Sequence, residues 1–359
     1  MSGGVDSAVA AGLLLEEGYD VTGVFLCLKH ASVEQGGAGE EGSDAEPARA
    51  RGCCSPQDAA DAQRVAETLG IELISLPVAT AFEPIIKQFV SEYANGRTPN
   101  PCVLCNSVIK FGRLFDLADS LGARYVASGH YARIVCRDGM AGIARARCRG
   151  KDQSYALFGV VRRRIERMLL PIGELGSKGD TRALAGQMGL AVHDKADSQE
   201  VCFVPDNDYT LLLARRVPEA LRGGEVVNSA GEVLGMHDGY ARFTVGQRRG
   251  VGVAAGVPMY VTDIDPESAR VTIGPREAVM RDHLRAGGVN WQADVGERFS
   301  ATVQIRYNHE GVRGVVRRTG PDSFKVAFEE AVLAITPGQA AVVYDGEQML
   351  GGGWIESDT

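Results

Sequence analysis

Three short apolar runs, VTGVFLCL (21–28), IELISLPV (71–78) and ARYVASGH (123–130), alternate with amphipathic stretches over the first two hundred residues. Residues 7–17, 58–69, 85–93 and 107–121 repeat apolar side chains every three or four positions, the period of a helix with one buried face. A buried strand followed by a helix rejoins its own sheet through a crossover. The alternation therefore restricts this half to an α/β fold with a parallel sheet and helices on both faces. Residues 31–52, rich in Gly, Ala and Glu, interrupt the pattern without any apolar period and suggest a mobile, solvent-exposed loop.

Beyond about residue 206 the texture becomes β. GEVVNSAGEVLGMHDG, ARFTVGQRRGVGVA, MYVTDIDPESARVTIG and FSATVQIRY suggest short strands divided by Gly, Asn or Asp turns, as do GVRGVVRRTGPDSFKVAFEEAV and QAAVVYDGEQMLGGGWI. DPESAR and YDGEQ suit hairpin turns. The expected organisation is an α/β domain over 1–206, a small central β-rich domain over 207–278, and a β-barrel or sandwich over 279–359.

The chain has 359 residues, enough for two or three cores, and its 45% hydrophobic and 23% charged composition is that of an ordinary globular protein. No apolar run has the roughly 20 residues needed to cross a bilayer. The N-terminus has no basic region ahead of its apolar stretch, so no signal peptide is expected and the cytoplasm is the expected location. Eight cysteines are too sparse for a secreted disulfide scaffold, and they cluster. The net charge of -8 argues weakly against nucleic acid, yet ten Arg and one Lys between Arg124 and Arg167 face only Asp138, Asp152 and Glu166. That stretch is either a polyanion site or a set of solvated arginines.

Ser2-Gly3-Gly4-Val5-Asp6-Ser7 leads directly into a helix. Two glycines admit a phosphate close to the backbone, while hydroxyls, helix amides and the helix dipole favour an anion. No Gly-Lys-Ser/Thr follows, so this is not a Walker loop. Thr98-Pro99-Asn100-Pro101-Cys102-Val103-Leu104-Cys105-Asn106 places two thiols at the start of a helix, where the dipole stabilises a thiolate. The spacing suits a metal, a cluster or a local disulfide. Cys202 lies in the segment 197–205, DSQEVCFVP, and is either a buried inert thiol or a reactive one. Cys53 and Cys54 receive no role, and Cys27, Cys136 and Cys148 are expected to be structural.

SGGVDS resembles the pyrophosphate-binding loop of the N-type ATP pyrophosphatases, in which a buried strand normally precedes the loop. Here the chain begins at the loop, so the first strand is expected to be missing or the true start to lie upstream of Met1. SGGVDS, NPCVLCN and SQEVCF occur together with CCSPQDAADAQRVAETLGI (53–71), ASGHYAR (127–133), KDQSYAL (151–157) and FTVGQRRGVGVA (243–254). IRYNHE (305–310), TPGQAAVVYDG (336–346) and LGGGWI (350–355) extend the set to the C-terminus. In this order the motifs resemble the bacterial tRNA-specific 2-thiouridylases over essentially the whole chain.

The resemblance implies a Rossmann-like ATP pyrophosphatase domain and a C-terminal barrel that binds tRNA. It also implies ATP-dependent adenylation of the C2 oxygen of the wobble uridine, with Mg2+, followed by sulfur transfer. By position, Ser2, Gly3, Gly4, Asp6, Ser7, Leu26 and Gly129 correspond to the ATP site. Cys202 corresponds to the persulfide carrier and Cys105 to its partner, leaving a Cys105–Cys202 disulfide that a thiol reductant resets. The persulfide comes from a sulfur-relay or cysteine-desulfurase donor. The implied tRNA contacts are Asn100, Pro101, Cys102, His130, Lys151, Asp152, Gln153, Arg306, Tyr307 and Gln339. Taken without the family pattern, His130 reads as a core imidazole and Arg306-Tyr307 as an edge-strand pair. Many family members carry Asp where this chain has Cys102. That departure opens an alternative in which Cys102, Cys105 and Cys202 ligate an iron–sulfur cluster. Two further classes share parts of the pattern: an ATP pyrophosphatase acting on a small carboxylate, and a tRNA-binding or redox-sensing protein with a degenerate nucleotide site.

Overall fold

The computed structural model describes residues 1–28, 55–196, 201–204, 208–253 and 256–357. The loop expected at 31–52, Cys53 and Cys54, and the polar lead-in 197–200 lie outside them.

Helix α1 (Val5–Glu16) buries Val5, Ala8, Val9 and Leu14 and is followed by strand β1 (Gly23–Cys27). Helix α2 (Pro56–Leu69) starts with Pro56 and a reciprocal cap between Ser55 and Asp58, which satisfies two otherwise orphaned amides. It crosses over to strand β2 (Leu73–Pro77), which pairs parallel to β1 with Leu26 opposite Leu76. Helix α3 (Ala79–Ala94) precedes the proline-rich loop, and helix α4 (Pro101–Leu104) opens directly into a π-helical stretch, Cys105–Arg113. Phe111, at φ −112° and ψ 15°, kinks that stretch before helix α5 (Leu114–Leu121). Wide turns of this kind concentrate at functional sites.

The run expected to be a strand at 123–130 yields only β3 (Val126–Ala127), paired parallel to β6 (Met168–Leu169). Between them stands a hairpin that the sequence did not announce, β4 (Ala132–Arg137) and β5 (Met140–Arg145). Helices α6 (Lys178–Gln187) and α7 (Tyr209–Arg216) follow.

Strands β7 (Gly224–Val227), β8 (Val233–His237), β9 (Tyr260–Asp265) and β10 (Arg270–Gly274) form one sheet in the order β8-β7-β10-β9. The expected hairpin at DPESAR joins β9 to β10. The segment 243–253, read from sequence as strand-like, holds no strand among its described residues. Its glycines at positive φ (Gly246, Gly250, Gly252) break the extended path.

The last six strands are β11 (Met280–Trp291), β12 (Arg298–Gln304), β13 (Val312–Gly320), β14 (Ser323–Leu333), β15 (Ala340–Asp345) and β16 (Gln348–Ile355). They run in the order β11-β14-β13-β12-β15-β16, and pairing of β11 with β16 closes them into a barrel. Closure removes the sheet edges that would otherwise invite further pairing. Leu284, Val303, Val316, Phe324, Val326 and Val343 fill the interior. The unannounced hairpin attaches to this sheet, β5 beside β16. A second core runs from Val103, Phe111 and Phe115 through Tyr155 and Phe158 to Val342 and Tyr344, so the helix carrying the paired cysteines packs directly against the barrel. No described helix is long and apolar enough to cross a membrane.

Candidate active site

The glycine-rich loop owes its shape to close packing. Gly3 has φ +70°, and a Cβ there would lie 2.3 Å from the Asp58 carbonyl oxygen. Gly129 backs onto the first turn of α1, where a Cβ would lie 2.5 Å from the Asp6 carbonyl carbon and 2.6 Å from the Ser7 nitrogen. The Ser2 amide donates to Ser7 Oγ at 3.0 Å, and Ser7 Oγ donates to the Gly4 carbonyl at 3.1 Å. Gly4 caps α1 without any side-chain acceptor. The first amides of the helix are therefore not consumed by a cap, and they supply donors and a positive dipole end for an anion.

Two lysines not anticipated from sequence hold this loop. Lys178 Nζ donates to Asp6 Oδ1 at 2.6 Å. Lys195 Nζ donates to the Gly3 carbonyl at 2.9 Å, to Asp58 Oδ1 at 2.7 Å and to Asp61 Oδ2 at 2.5 Å. Burial alone would raise the Asp61 carboxyl, but bonds from Lys195, Arg64 and Gln57 outweigh it and hold the group below its usual range. Burial likewise opposes charge on Lys195, and Asp58 and Asp61 overcome it, leaving the ammonium above its ordinary value. Asp58 was visible from sequence only as part of a family-like helix start. Nothing local distinguishes Lys195, whose role depends on contacts more than 130 residues away.

Two of the thiols share one apolar cluster with a residue of β1. Leu26, Cys105, Cys202 and Phe203 all pack against one apolar cluster of Val78, Phe82, Ile85 and Ile109. Phe203 meets Phe82 edge-on at 5.5 Å and Phe89 at 5.1 Å, which fixes the backbone beside Cys202. Cys105 and Cys202 are half-buried, whereas Cys102 is exposed. Cys102 lies instead near Tyr307, whose phenol is raised first by burial and then by Asp152 and Cys102. Among the described residues no three Cys, His, Asp or Glu side chains form a group suited to a metal ion. Cys102, Cys105 and Cys202 therefore do not fit the cluster alternative: Cys105 and Cys202 pack on an apolar cluster, and Cys102 is exposed and not part of it.

The remaining sequence candidates divide into two sets. Asn100 and Arg306 both lie near the buried Tyr155 phenol. Arg306 donates to the Leu333 carbonyl at 3.0 Å, and Tyr307 is 44% exposed. Pro101 is buried at the start of α4, directly before Cys102, and Lys151 sits half-buried at the end of a single helical turn.

The other set is engaged inside the protein. His130 is buried, with Nδ1 against Ser128 Oγ at 2.7 Å and Nε2 against Asn106 Oδ1 at 3.1 Å. Because Asn106 offers its carbonyl oxygen, Nε2 carries the proton. Burial, then Lys110, pushes the imidazole well below its usual pKa and keeps it neutral. Asp152 pairs with Arg145 at 3.2 Å and accepts from the Ala146 amide and Ser154 Oγ at 2.9 Å each. Gln153 Oε1 accepts from the Tyr131 amide at 2.9 Å. Gln339 Nε2 donates to the Thr98 and Pro99 carbonyls at 2.9 and 3.2 Å. His130 thus bonds Asn106 beside Cys105 and Gln339 caps carbonyls of the proline-rich loop, while Asp152 and Gln153 are tied to Arg145, Ser154 and Tyr131.

The arginine-rich stretch is largely neutralised. Arg137 pairs with Asp345, Arg147 with Glu174, Arg162 with Asp294, Arg164 with Asp116 and Arg167 with Asp119. Their partners come from other segments, so the local excess of charge read from sequence is not an excess in space.

Fold and site together define an α/β protein with a glycine-rich anion loop and two thiols on one apolar cluster, joined to two β modules. Three family models match in succession: the tRNA methyl transferase HUP domain over 1–206, the tRNA methyl transferase PRC-barrel domain over 211–275 and the aminomethyltransferase β-barrel domain over 281–355. A tRNA-specific 2-thiouridylase MnmA of Carboxydothermus hydrogenoformans is 46% identical over 361 residues, covering 99% of this chain and 96% of the relative. Its counterparts in Rhodopirellula baltica and Salinibacter ruber are 45% and 44% identical, each over 99% of this chain and over 94% and 92% of their own lengths. The chain belongs to the tRNA-specific 2-thiouridylase family.

Proposed function

We propose that this protein is an ATP-dependent tRNA-uridine 2-sulfurtransferase that converts the wobble uridine to 2-thiouridine. The observation that carries the reading is the packing of Cys105 and Cys202 on one apolar cluster with Leu26, whose strand lies beside the glycine-rich loop. The matching domain models are described by methyl transfer, whereas the relatives are named for thiolation. Two thiols packed on one apolar cluster favour the latter.

Uridine O2 is a poor leaving group. Its attack on the α-phosphate of ATP releases pyrophosphate and turns the oxygen into part of AMP. The loop amides, Ser2, Ser7 and the adjoining Lys178 supply the donors that grip the phosphates, while Lys195, committed to Gly3, Asp58 and Asp61, keeps the loop in shape. Asp6 is the loop carboxylate suited to Mg2+, which takes one or two carboxylates and otherwise binds phosphate and water. When bound, the ion neutralises phosphate charge.

Cys202 carries a persulfide received from a protein donor. The outer sulfur brings its electron pair to C2, the C2–O bond to AMP breaks, and Cys105 Sγ bonds Cys202 Sγ as the persulfide S–S bond cleaves. A thiol reductant supplies two electrons and two protons to restore both thiols. Residues 1–206 carry this chemistry, and the parts at 207–278 and 279–359 hold the RNA.

The test is single-turnover thiolation of unmodified tRNA with ATP and a persulfide donor, with pyrophosphate and the disulfide followed by mass spectrometry. A Cys105–Cys202 linkage formed one-for-one with 2-thiouridine supports the scheme. Full thiolation by Cys105→Ser would overturn it.

A further inference from the structure

Four cations stand in one unbroken row across the barrel. Strand register sets Arg285 opposite Lys325, Lys325 opposite Arg317, and Arg317 opposite Arg298. Residues directly opposite one another share a face of the sheet. The row therefore crosses β11, β14, β13 and β12 on the outer surface, while the neighbouring Leu284, Phe324, Val326 and Val316 point into the core. All four cations are exposed. At about 4.8 Å per strand the row is roughly 14 Å long.

Like charges directly opposite one another weaken a sheet. A chain of net charge -8 has no general need for cations here, so a row of four calls for a compensating role. The ion pairing seen on β13 lies further along the strand, between Arg313 and Glu329. The row lines a groove of about 1320 Å³, in which Glu297 is the one acidic lining residue. His283 and Arg318 also line it, and the rest is small or aliphatic. The groove has no Phe, Tyr or Trp on which a base would stack, so it is built to meet charge rather than bases.

Position selects which charge. Arg298 opens β12 and Arg306 lies just beyond its other end, so about 3.3 Å per residue puts the row roughly 25 Å from the Arg306–Tyr307 edge. A phosphate on the row is remote from the base presented to Cys105.

We propose that this row docks the sugar–phosphate backbone of a helical stem of the substrate tRNA, separately from the site that receives the target base. Double-stranded RNA is met through shape and backbone contacts, which suits a groove dominated by cations and lacking Phe, Tyr and Trp. The inference rests on the proposed function for the identity of the RNA, but not for the binding itself.

The test uses the full chain carrying Arg298→Gln, Arg317→Gln and Lys325→Gln together. Binding of unmodified full-length tRNA, of an unrelated RNA duplex and of a single-stranded oligonucleotide of the target loop is measured against salt, alongside kcat and KM. The expected results are at least tenfold weaker binding of tRNA and duplex, and a slope of log K against log salt shallower by about two to three. Loop affinity and kcat should stay within about twofold, with Tm unchanged or raised by relief of repulsion. Unchanged tRNA affinity overturns the proposal. Equal loss for the loop oligonucleotide, or a lowered Tm, overturns it too, because the row would then serve the base site or the barrel itself. Wild-type protein that shows the slope but never thiolates would refute the proposed function and leave the docking strip standing.

Discussion

Replacing Lys195 with Met removes one ammonium from three acceptors while keeping most of the aliphatic stem. The Lys195 side chain is 30% exposed, Asp58 15% and Asp61 9%. A fully exposed ion pair contributes under about 1 kcal/mol, and breaking a fully buried one costs about 3–5 kcal/mol. Partial exposure of the lysine screens the interaction, so the expected loss is about 2 kcal/mol at neutral pH. For a domain of this size that corresponds to a Tm lower by roughly 4–8 °C. The loss depends on pH in a defined direction. The Asp61 carboxyl is lowered in the fold, so its contribution is present above the ordinary carboxylate value of 3.8 and disappears as pH falls through its folded value. Lys195 is raised, so its contribution is complete below 10.5 and is lost only as pH rises through its folded value. Urea unfolding of wild type and variant should therefore show a constant gap through neutral pH that closes as Asp61 protonates. Adding Asp61→Asn to the variant should recover part of it. Equal midpoints at pH 7 would refute the electrostatic account, and a gap that persists undiminished in strong acid would assign the effect to packing of the lysine stem.

Gly129→Ala places a methyl group 2.5 Å from the Asp6 carbonyl carbon, so it should lower ATP affinity at least tenfold in equilibrium binding while leaving tRNA binding intact. Cys202→Ser and Cys105→Ser should each retain tRNA-stimulated pyrophosphate release on the first turnover yet lose thiolation, read by mass spectrometry of the nucleoside. Because burial and Lys110 hold His130 neutral, rate profiles between about pH 5.5 and 8 should contain no limb that vanishes in His130→Gln. His130→Phe strands Asn106 Oδ1 and Ser128 Oγ and should cost about 1–3 kcal/mol in denaturant unfolding.

The α/β half was legible because its helices carry strong apolar periods, and α2 also carries a readable cap at Ser55 and Asp58. The barrel was legible as strands, since β13 and β14 alternate buried and exposed positions almost without exception. Its closure was expected only through the family resemblance, because pairing of β11 with β16 joins residues 60 to 69 positions apart, and no local pattern encodes it. The hairpin β4–β5 was hidden by arginines that look like surface residues. In the fold, Arg133 and Arg145 are buried against Glu347 and Asp152. The same long-range pairing defeated the charge reading of that stretch. Among site residues, the glycine loop and the two cysteine segments were marked by composition. The internal hydrogen bonds of His130, Asp152, Gln153 and Gln339 were not, because residue type alone does not say which neighbour a polar group meets.

Thr98 shows why a thiol site of this kind needs three parts of the chain. The loop from Thr98 to Pro101 has two prolines, which remove amide donors, so it cannot hold itself by a hydrogen-bonded ladder. Its anchors come from outside. The Thr98 amide donates to the Pro337 carbonyl at 3.0 Å, and Gln339 Nε2 caps the Thr98 and Pro99 carbonyls. Thr98 Oγ1 bonds Thr244 Oγ1 at 3.1 Å, from the segment between β8 and β9. Gly338, at φ +88°, approaches so closely that a Cβ would lie 2.8 Å from the Thr98 carbonyl oxygen. The barrel and the central module thus set the height of the loop from above, while the core of Val103, Phe111 and Tyr155 fixes the helix below it. Cys102 and Cys105 lie between these two constraints. Their geometry is therefore a property of the whole chain, and an RNA that engages the barrel touches the same framework that holds the thiols.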